Sequence, residues 1–224
     1  MIHDTQNQYD ESFQVQTYSS KQIAIFEAVA KLMNQGYKPH NLKMAQIAAA
    51  AGIGKGTAYE YFSSKKELMQ ATIQYHLLNE CRQLTELLSS SEDFQTVFYK
   101  LLDFSFEMVQ SRIPNVWALI GSLDQDELDS ADKPTGQFCG QVILYLRDLM
   151  ETFMRKGIDE QIISNQTSQA FRLFVITGTV SSYVQIRSHQ LMLRLSPQTE
   201  AVEHHDKGNI DKDHAWMMLS RSLG

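Results

Sequence analysis

Residues 42 to 62 hold two short apolar-periodic segments joined by Ala51-Gly52-Ile53, and that spacing constrains the fold more than anything else in the chain. Met44, Ile47 and Ala48 recur at helical intervals, Gly52 follows Ala48 by four residues, and Ile53 and Ala58 lie beyond it. For one helix to end and a second to leave steeply within about four residues, the reversal favours glycine and the crossing favours alanine. Both conditions are met, so a helix-turn-helix is expected here.

The rest of the chain repeats the helical period. No segment shows sustained two-residue alternation between hairpin turns, so the expected class is all-α, with about nine helices. The first runs from about residue 19 to 35, with Phe26, Val29, Ala30 and Met33 at i, i+3, i+4 and i+7. Gly36 supplies its left-handed stop before Pro39. Asn41 is read as the N-cap of the second helix, which breaks at Gly52, and a third starts near Gly54. Ser64-Lys65-Lys66-Glu67 reads as a capping box opening a long helix to about Leu88. Further helices are expected at about 92–111, 115–128, 135–156, 167–195 and 210–222. The polar stretch 196–209 is expected to be a loop. This divides the chain into an arm, 1–18, a three-helix head, 19–66, and a larger helical body, 67–224.

The net charge of −6 sits awkwardly with a chain that meets phosphate, but its distribution is uneven. Residues 13 to 75 carry seven lysines against Glu27, Glu60 and Glu67, a local +4, whereas residues 76 to 224 sum to −7. A basic head and an acidic body follow. No apolar run approaches the ~20 residues of a membrane span. The start of the chain is polar, with no apolar core of a secretion signal, so a cytoplasmic location is expected. Cys81 and Cys139 stand apart in helical stretches and are expected to be buried free thiols.

With Ile47, Ala48, Ile53 and Ala58 facing inward, the outward residues of the second helix of the motif are Lys55, Thr57, Tyr59, Glu60 and Tyr61. Such donors and aromatic hydroxyls suit base edges and phosphates. Gly54 and Gly56 allow backbone amides to come close. Phe62 and Leu68 are assigned to the core. The landmarks Gly36-Tyr37, Ile47-Ala48, Ala51-Gly52-Ile53, Gly56-Thr57-Ala58-Tyr59, Tyr61-Phe62 and Ser64 to Leu68 follow in order, without gaps, over residues 21 to 73. In this set the head resembles the TetR family of bacterial regulators. The resemblance implies DNA contacts from Lys55, Gly56, Thr57, Tyr59, Tyr61 and Lys65. Where the family usually has threonine or serine at the cap of the second helix, this chain has Asn41-Leu42-Lys43. The corresponding phosphate contact is therefore assigned to Lys43 or the helix N-terminus. Glu60 would accept from cytosine or repel phosphate.

Other motifs carry less. Gly52 to Thr57 lacks the Gly-Lys-Ser/Thr order of a phosphate loop and follows a helix. Asp124 to Asp129 begins like a calcium loop, but Leu128, Asp129 and Thr135 stand at required positions. His204, His205 and His214 lack zinc spacing. No catalytic constellation stands out, so no enzyme activity, metal or cofactor is expected.

One recognition helix covers too few base pairs for useful specificity, which calls for a homodimer on double-stranded DNA with half-sites about 34–36 Å apart, or a multiple of that. The stretch 167–195 carries Phe171, Phe174, Val175, Gly178 and Ser182 on one side, and the last helix adds Trp216 and Leu219. The resemblance implies that these two helices pair with their symmetry mates, while intramolecular core is the competing reading. Phe104, Trp117, Phe138 and Tyr145 are candidates to line a cavity for a largely apolar effector, against plain core filling. Arg112, Arg147 or Arg172 would pair any anion. The expected function is a repressor of a palindromic operator, relieved by ligand. An activator or ligand-independent regulator remains open, as does a helical enzyme or carrier with an unused head.

Overall fold

In a computed structural model the described residues are 17–112, 119, 134–195 and 211–224. They form eight α-helices and no strand. The helices are α1 (Ser20–Asn34), α2 (Met44–Ala50), α3 (Lys55–Tyr61), α4 (Lys65–Leu88), α5 (Phe94–Glu107), α6 (Pro134–Asp159), α7 (Gln169–Leu195) and α8 (Lys212–Leu223). Of the helix expected at 115–128, only Leu119 is described. Trp117, the acidic loop 124–129, His204 and His205 also lie outside the described residues.

Two compact units are present. One takes 17–83 with 111–112, 119 and 134–145, and its core is built by α1 to α4. α1 begins at a reciprocal cap, in which Ser19 Oγ accepts from Gln22 N and Gln22 Oε1 accepts from Ser19 N. Its apolar stripe buries Ile25, Phe26, Val29, Leu32 and Met33. Gly36 then adopts φ +91°, and Tyr37 N bonds back to Leu32 O while Gly36 N bonds to Met33 O. That is the Schellman closure, which requires a left-handed residue at this point.

The same device makes the turn after α2. Gly52 adopts φ +71°, Ile53 N donates to Ala48 O at 3.0 Å, and Gly52 N donates to Ala49 O at 3.1 Å. Ile47, Ala48 and Ala58 are buried where α2 crosses α3. With a methyl at most at positions 48 and 58, the two backbones approach closely.

Two capping expectations are corrected. Asn41 does not cap α2. Pro39 opens a short 3-10 turn, Pro39–Asn41, in which Asn41 N donates to Lys38 O. The helix therefore begins two residues later, with Lys43 in the N-cap position and its amide donated to Gln46 Oε1 at 3.0 Å. At α4, Ser64 Oγ accepts from Glu67 N as expected, but the Glu67 carboxylate takes the amide and hydroxyl of Ser63. Those two donors hold the Glu67 carboxyl below its ordinary range.

The other unit takes 84–110, 146–195 and 211–224. Asp93 and Glu160 cap α5, accepting from Thr96 N and Phe94 N respectively. Phe94 stacks on Phe153, with ring centroids 4.6 Å apart, and Trp216 packs at a tilt against Phe94 and Phe98 and edgewise against Tyr99. α7 and α8 pack on each other and on α5. Gly157 is required by close approach, since a Cβ there would lie 2.7 Å from Ile163 Cδ1 and 3.0 Å from Phe94. Beyond α5 the backbone widens into a π-helical turn, Met108–Arg112.

Candidate nucleic-acid interface

α3 spans seven residues, about 10 Å, and its apolar contribution is concentrated in Ala58, which is fully buried. With that residue turned inward, Lys55, Gly56, Tyr59 and Glu60 are exposed. Lys55 and Tyr59 stand one turn apart, and the Lys55 ammonium lies 5.8 Å from the Tyr59 ring centroid. The ring, 46% exposed, is thus oriented by a cation on its face. A Cβ at Gly56 would meet nothing within 4 Å, so this stretch of backbone is open. Thr57 is half-buried. Tyr61 departs from its expected outward place, because its ring is partly buried against the head core.

Lys43 is exposed at the start of α2. Lys65, in the first turn of α4, donates to the carbonyl of His40 at 2.8 Å. Its partial burial pulls the ammonium below its ordinary range. This contact joins residues 25 positions apart, ties the start of α4 to the turn before α2, and was not anticipated. The local signal for it is Pro39, which opens the 3-10 turn that carries the His40 carbonyl. One of the three donors of Lys65 is therefore engaged, which leaves two for another acceptor. Glu60 is exposed on the same short helix and is the acidic residue of that surface.

The residues expected at a subunit interface separate into two groups. Phe171, Phe174, Gly178 and Ser182 are exposed along one stripe of α7, with Phe174 at 73%. Val175 is half-buried. Leu219 is fully buried in its own subunit, and Trp216 is half-buried among Phe94, Phe98 and Tyr99. The expectation for Leu219 is corrected, since a side chain with no exposed surface has none to offer a partner. α8 presents Met217 and Met218 instead. Of the cavity candidates, Phe104 and Phe138 are half-buried, and Tyr145 is buried. Phe138 and Tyr145 lie two turns apart on α6. Among the anion candidates, Arg172 pairs with Glu151 at 2.6 Å in a nearly buried bridge, and Arg147 pairs with Asp148 on the surface. Cys81 is buried, and desolvation pushes its thiol up to about 12. Cys139 is half-buried rather than buried. No helix among the described residues is long and apolar enough to cross a membrane.

Comparison with known proteins sets this geometry in a family. Residues 25–72 match the family described as bacterial regulatory proteins, tetR family. No sequence among the curated proteins matches the chain. Among solved structures, the chain is similar to the Escherichia coli regulator NemR in its reduced form, with a TM-score of 0.59 at 13% identity, over 91% of this chain and 95% of that one. It is similar to the transcriptional regulator FadR of Bacillus subtilis, solved in complex with stearoyl-CoA, with a TM-score of 0.55 at 14% identity, over 90% and 97%. It is also similar to NalD of Pseudomonas aeruginosa, described as the secondary repressor of a multidrug efflux pump, with a TM-score of 0.53 at 18% identity, over 91% and 95%. At such identities the likeness concerns the fold. The head, residues 25–72, thus carries the match to the TetR family of bacterial regulators, and the described helices share the fold of these solved regulators.

Proposed function

We propose that this chain is a repressor that binds a palindromic operator as a homodimer and releases it when a small, largely apolar effector enters the body. The observation that carries the DNA-binding part is the exposed face of α3. Lys55, Gly56 and Tyr59 stand outward on a helix fixed by the buried Ala58 and by the Schellman turn at Gly52. In this reading Lys55, Gly56, Thr57 and Tyr59 enter the major groove. Lys43 and Lys65 neutralise phosphates on either side, and the Tyr61 hydroxyl reaches the backbone.

The exposed stripe Phe171, Phe174, Gly178 and Ser182 supports dimerisation through α7, and Met217 and Met218 of α8 are exposed as well. Small residues at 178 and 182 permit close helix crossing. Phe104, Phe138 and Tyr145 favour an apolar effector, and the acyl-CoA named with the Bacillus subtilis structure is a precedent on the same fold. Relief then follows from population shift, the effector binding the form whose recognition helices no longer match the groove spacing.

The test is a footprint of the purified full chain on the DNA flanking its own coding region. A protected inverted repeat, with affinity falling steeply as salt rises, is the expected result. Absence of salt-dependent binding to any duplex would overturn the reading.

A further inference from the structure

Within the unit that contains α5 and α7, two polar groups are buried without a partner on one face of α7. They are Arg187 Nε and Gln190 Oε1, three residues apart and therefore neighbours along the helix. The Arg187 guanidinium carbon lies 5.7 Å from the centroid of the Phe106 ring on α5, which holds the cation against an apolar wall. Beside it, Gln110 Nε2 donates to Ser188 Oγ at 2.9 Å, joining the π-helical turn to α7. A single turn of π-helix inside a helical segment is a frequent companion of functional sites.

A buried N–H donor without an acceptor is costly, and the penalty is larger when the group is charged. The buried arginine Arg172 also has an unpartnered Nε, but its terminal nitrogens are answered, since Glu151 and the Thr167 carbonyl both accept from them. Half-buried Arg187 carries the same charge with no ion pair among the described residues. An arginine left this way, and backed by a ring, matches an acceptor that arrives with the ligand.

We propose that Arg187 and Gln190 receive the carboxylate of an apolar acid. The guanidinium binds it through Nε–H. The Gln190 amide, turned about its last torsion, presents N–H to the second oxygen. Phe106 packs along the first carbons of the ligand. This inference rests on the proposal that the body binds an effector, and it names that effector's class as an aliphatic or aromatic carboxylate. Arg187, rather than Arg112, Arg147 or Arg172, is then the residue that reads the charge.

Isothermal titration of the full-length protein with octanoate, dodecanoate and hexadecanoate, each beside the alcohol of equal length, tests this. At one or more lengths the acid is expected to bind about tenfold tighter than the alcohol, as a charge-assisted pair allows. Arg187→Met removes that preference and leaves alcohol binding in place. It also raises the melting temperature of the ligand-free protein, because an unpaired buried donor has been removed; a purely structural arginine would lower it. Should Arg187→Met fail to fold, Gln190→Leu serves, with the preference expected to fall severalfold. Equal binding of acid and alcohol, a preference unchanged in the variants, or no binding of either at any length overturns the inference. DNA retention measured on the same preparation separates the two proposals, since a chain that binds duplex DNA but no acid loses only this one. A chain that binds acids but no duplex loses only the operator reading.

Discussion

Lys65 Nζ donates to the carbonyl oxygen of His40 at 2.8 Å, so the first turn of the long helix α4 is pinned to the 3-10 turn that precedes the helix-turn-helix. Under the proposed function, the same ammonium carries a phosphate contact with its remaining donors. Lys65→Met is expected to weaken operator binding and to lower the slope of log affinity against log salt by about 1. Because the bond to His40 is also lost, stability should fall by about 1 kcal/mol. Lys65→Arg should restore most of the affinity. Fluorescence anisotropy across a salt series, with urea unfolding of the same proteins, checks both parts.

Lys55 and Tyr59 share a face of α3, with cation and ring 5.8 Å apart. Lys55→Ala or Tyr59→Ala is expected to reduce operator affinity by about 1–3 kcal/mol if the side chain reads a base edge. The fold changes little, because an exposed cation–π pair contributes only about 0.5–1 kcal/mol. Unaltered affinity in both variants would remove α3 from the interface.

Gly52 holds φ +71°, and a Cβ there would meet nothing within 4 Å. The cost of Gly52→Ala is therefore conformational, about 1–2 kcal/mol, with no clash added. Gly52→Asn should recover part of it, since asparagine tolerates the left-handed region. Chemical denaturation of the three proteins gives the order glycine, asparagine, alanine.

Leu219 and Phe174 predict opposite phenotypes. Leu219 is fully buried, so Leu219→Ala should destabilise the subunit by about 2–5 kcal/mol. Phe174 is 73% exposed, and Phe174→Glu should leave the subunit folded while shifting it from dimer to monomer in sedimentation. A Phe174→Glu protein that sediments as the wild type does would place the dimer elsewhere.

His76, mostly buried on α4, is pushed below its ordinary pKa by desolvation, with Glu27 and Glu80 opposing in part. At pH above the unfolded value of about 6.5 the imidazole is neutral in both states and contributes no penalty. As pH falls through 6.5 toward the lower folded value, the unfolded chain takes up the proton first, and stability drops. His76→Gln should flatten that part of the profile, measured as melting temperature between pH 7.5 and 5.

Features set by one short stretch of backbone were legible in the residues. Gly36 and Gly52 end their helices where left-handed geometry is needed, and Ala48 and Ala58 mark the crossing of α2 and α3, because these demands are local and have few chemical solutions. The resemblance of residues 21–73 rests on the same short-range spacing. Longer-range pairings were not legible. Periodicity marks an apolar helix face but not which neighbour covers it, so Leu219, expected at a subunit interface, is core, while the adjacent Met218 is exposed. Asn41 caps well in isolation, yet Pro39 draws it into a 3-10 turn, and the N-cap position passes to Lys43.

By itself the sequence determined the helical class, the reversal at Gly52 and the outward lysine and tyrosine of α3. Each follows from backbone preferences within a few residues. Only the tertiary structure decided that Lys65 holds the His40 carbonyl, that Arg172 is neutralised by Glu151, and that Arg187 keeps an unpaired donor against Phe106. Those outcomes depend on which side chains distant in the chain are brought within hydrogen-bond reach, and packing of whole helices sets that.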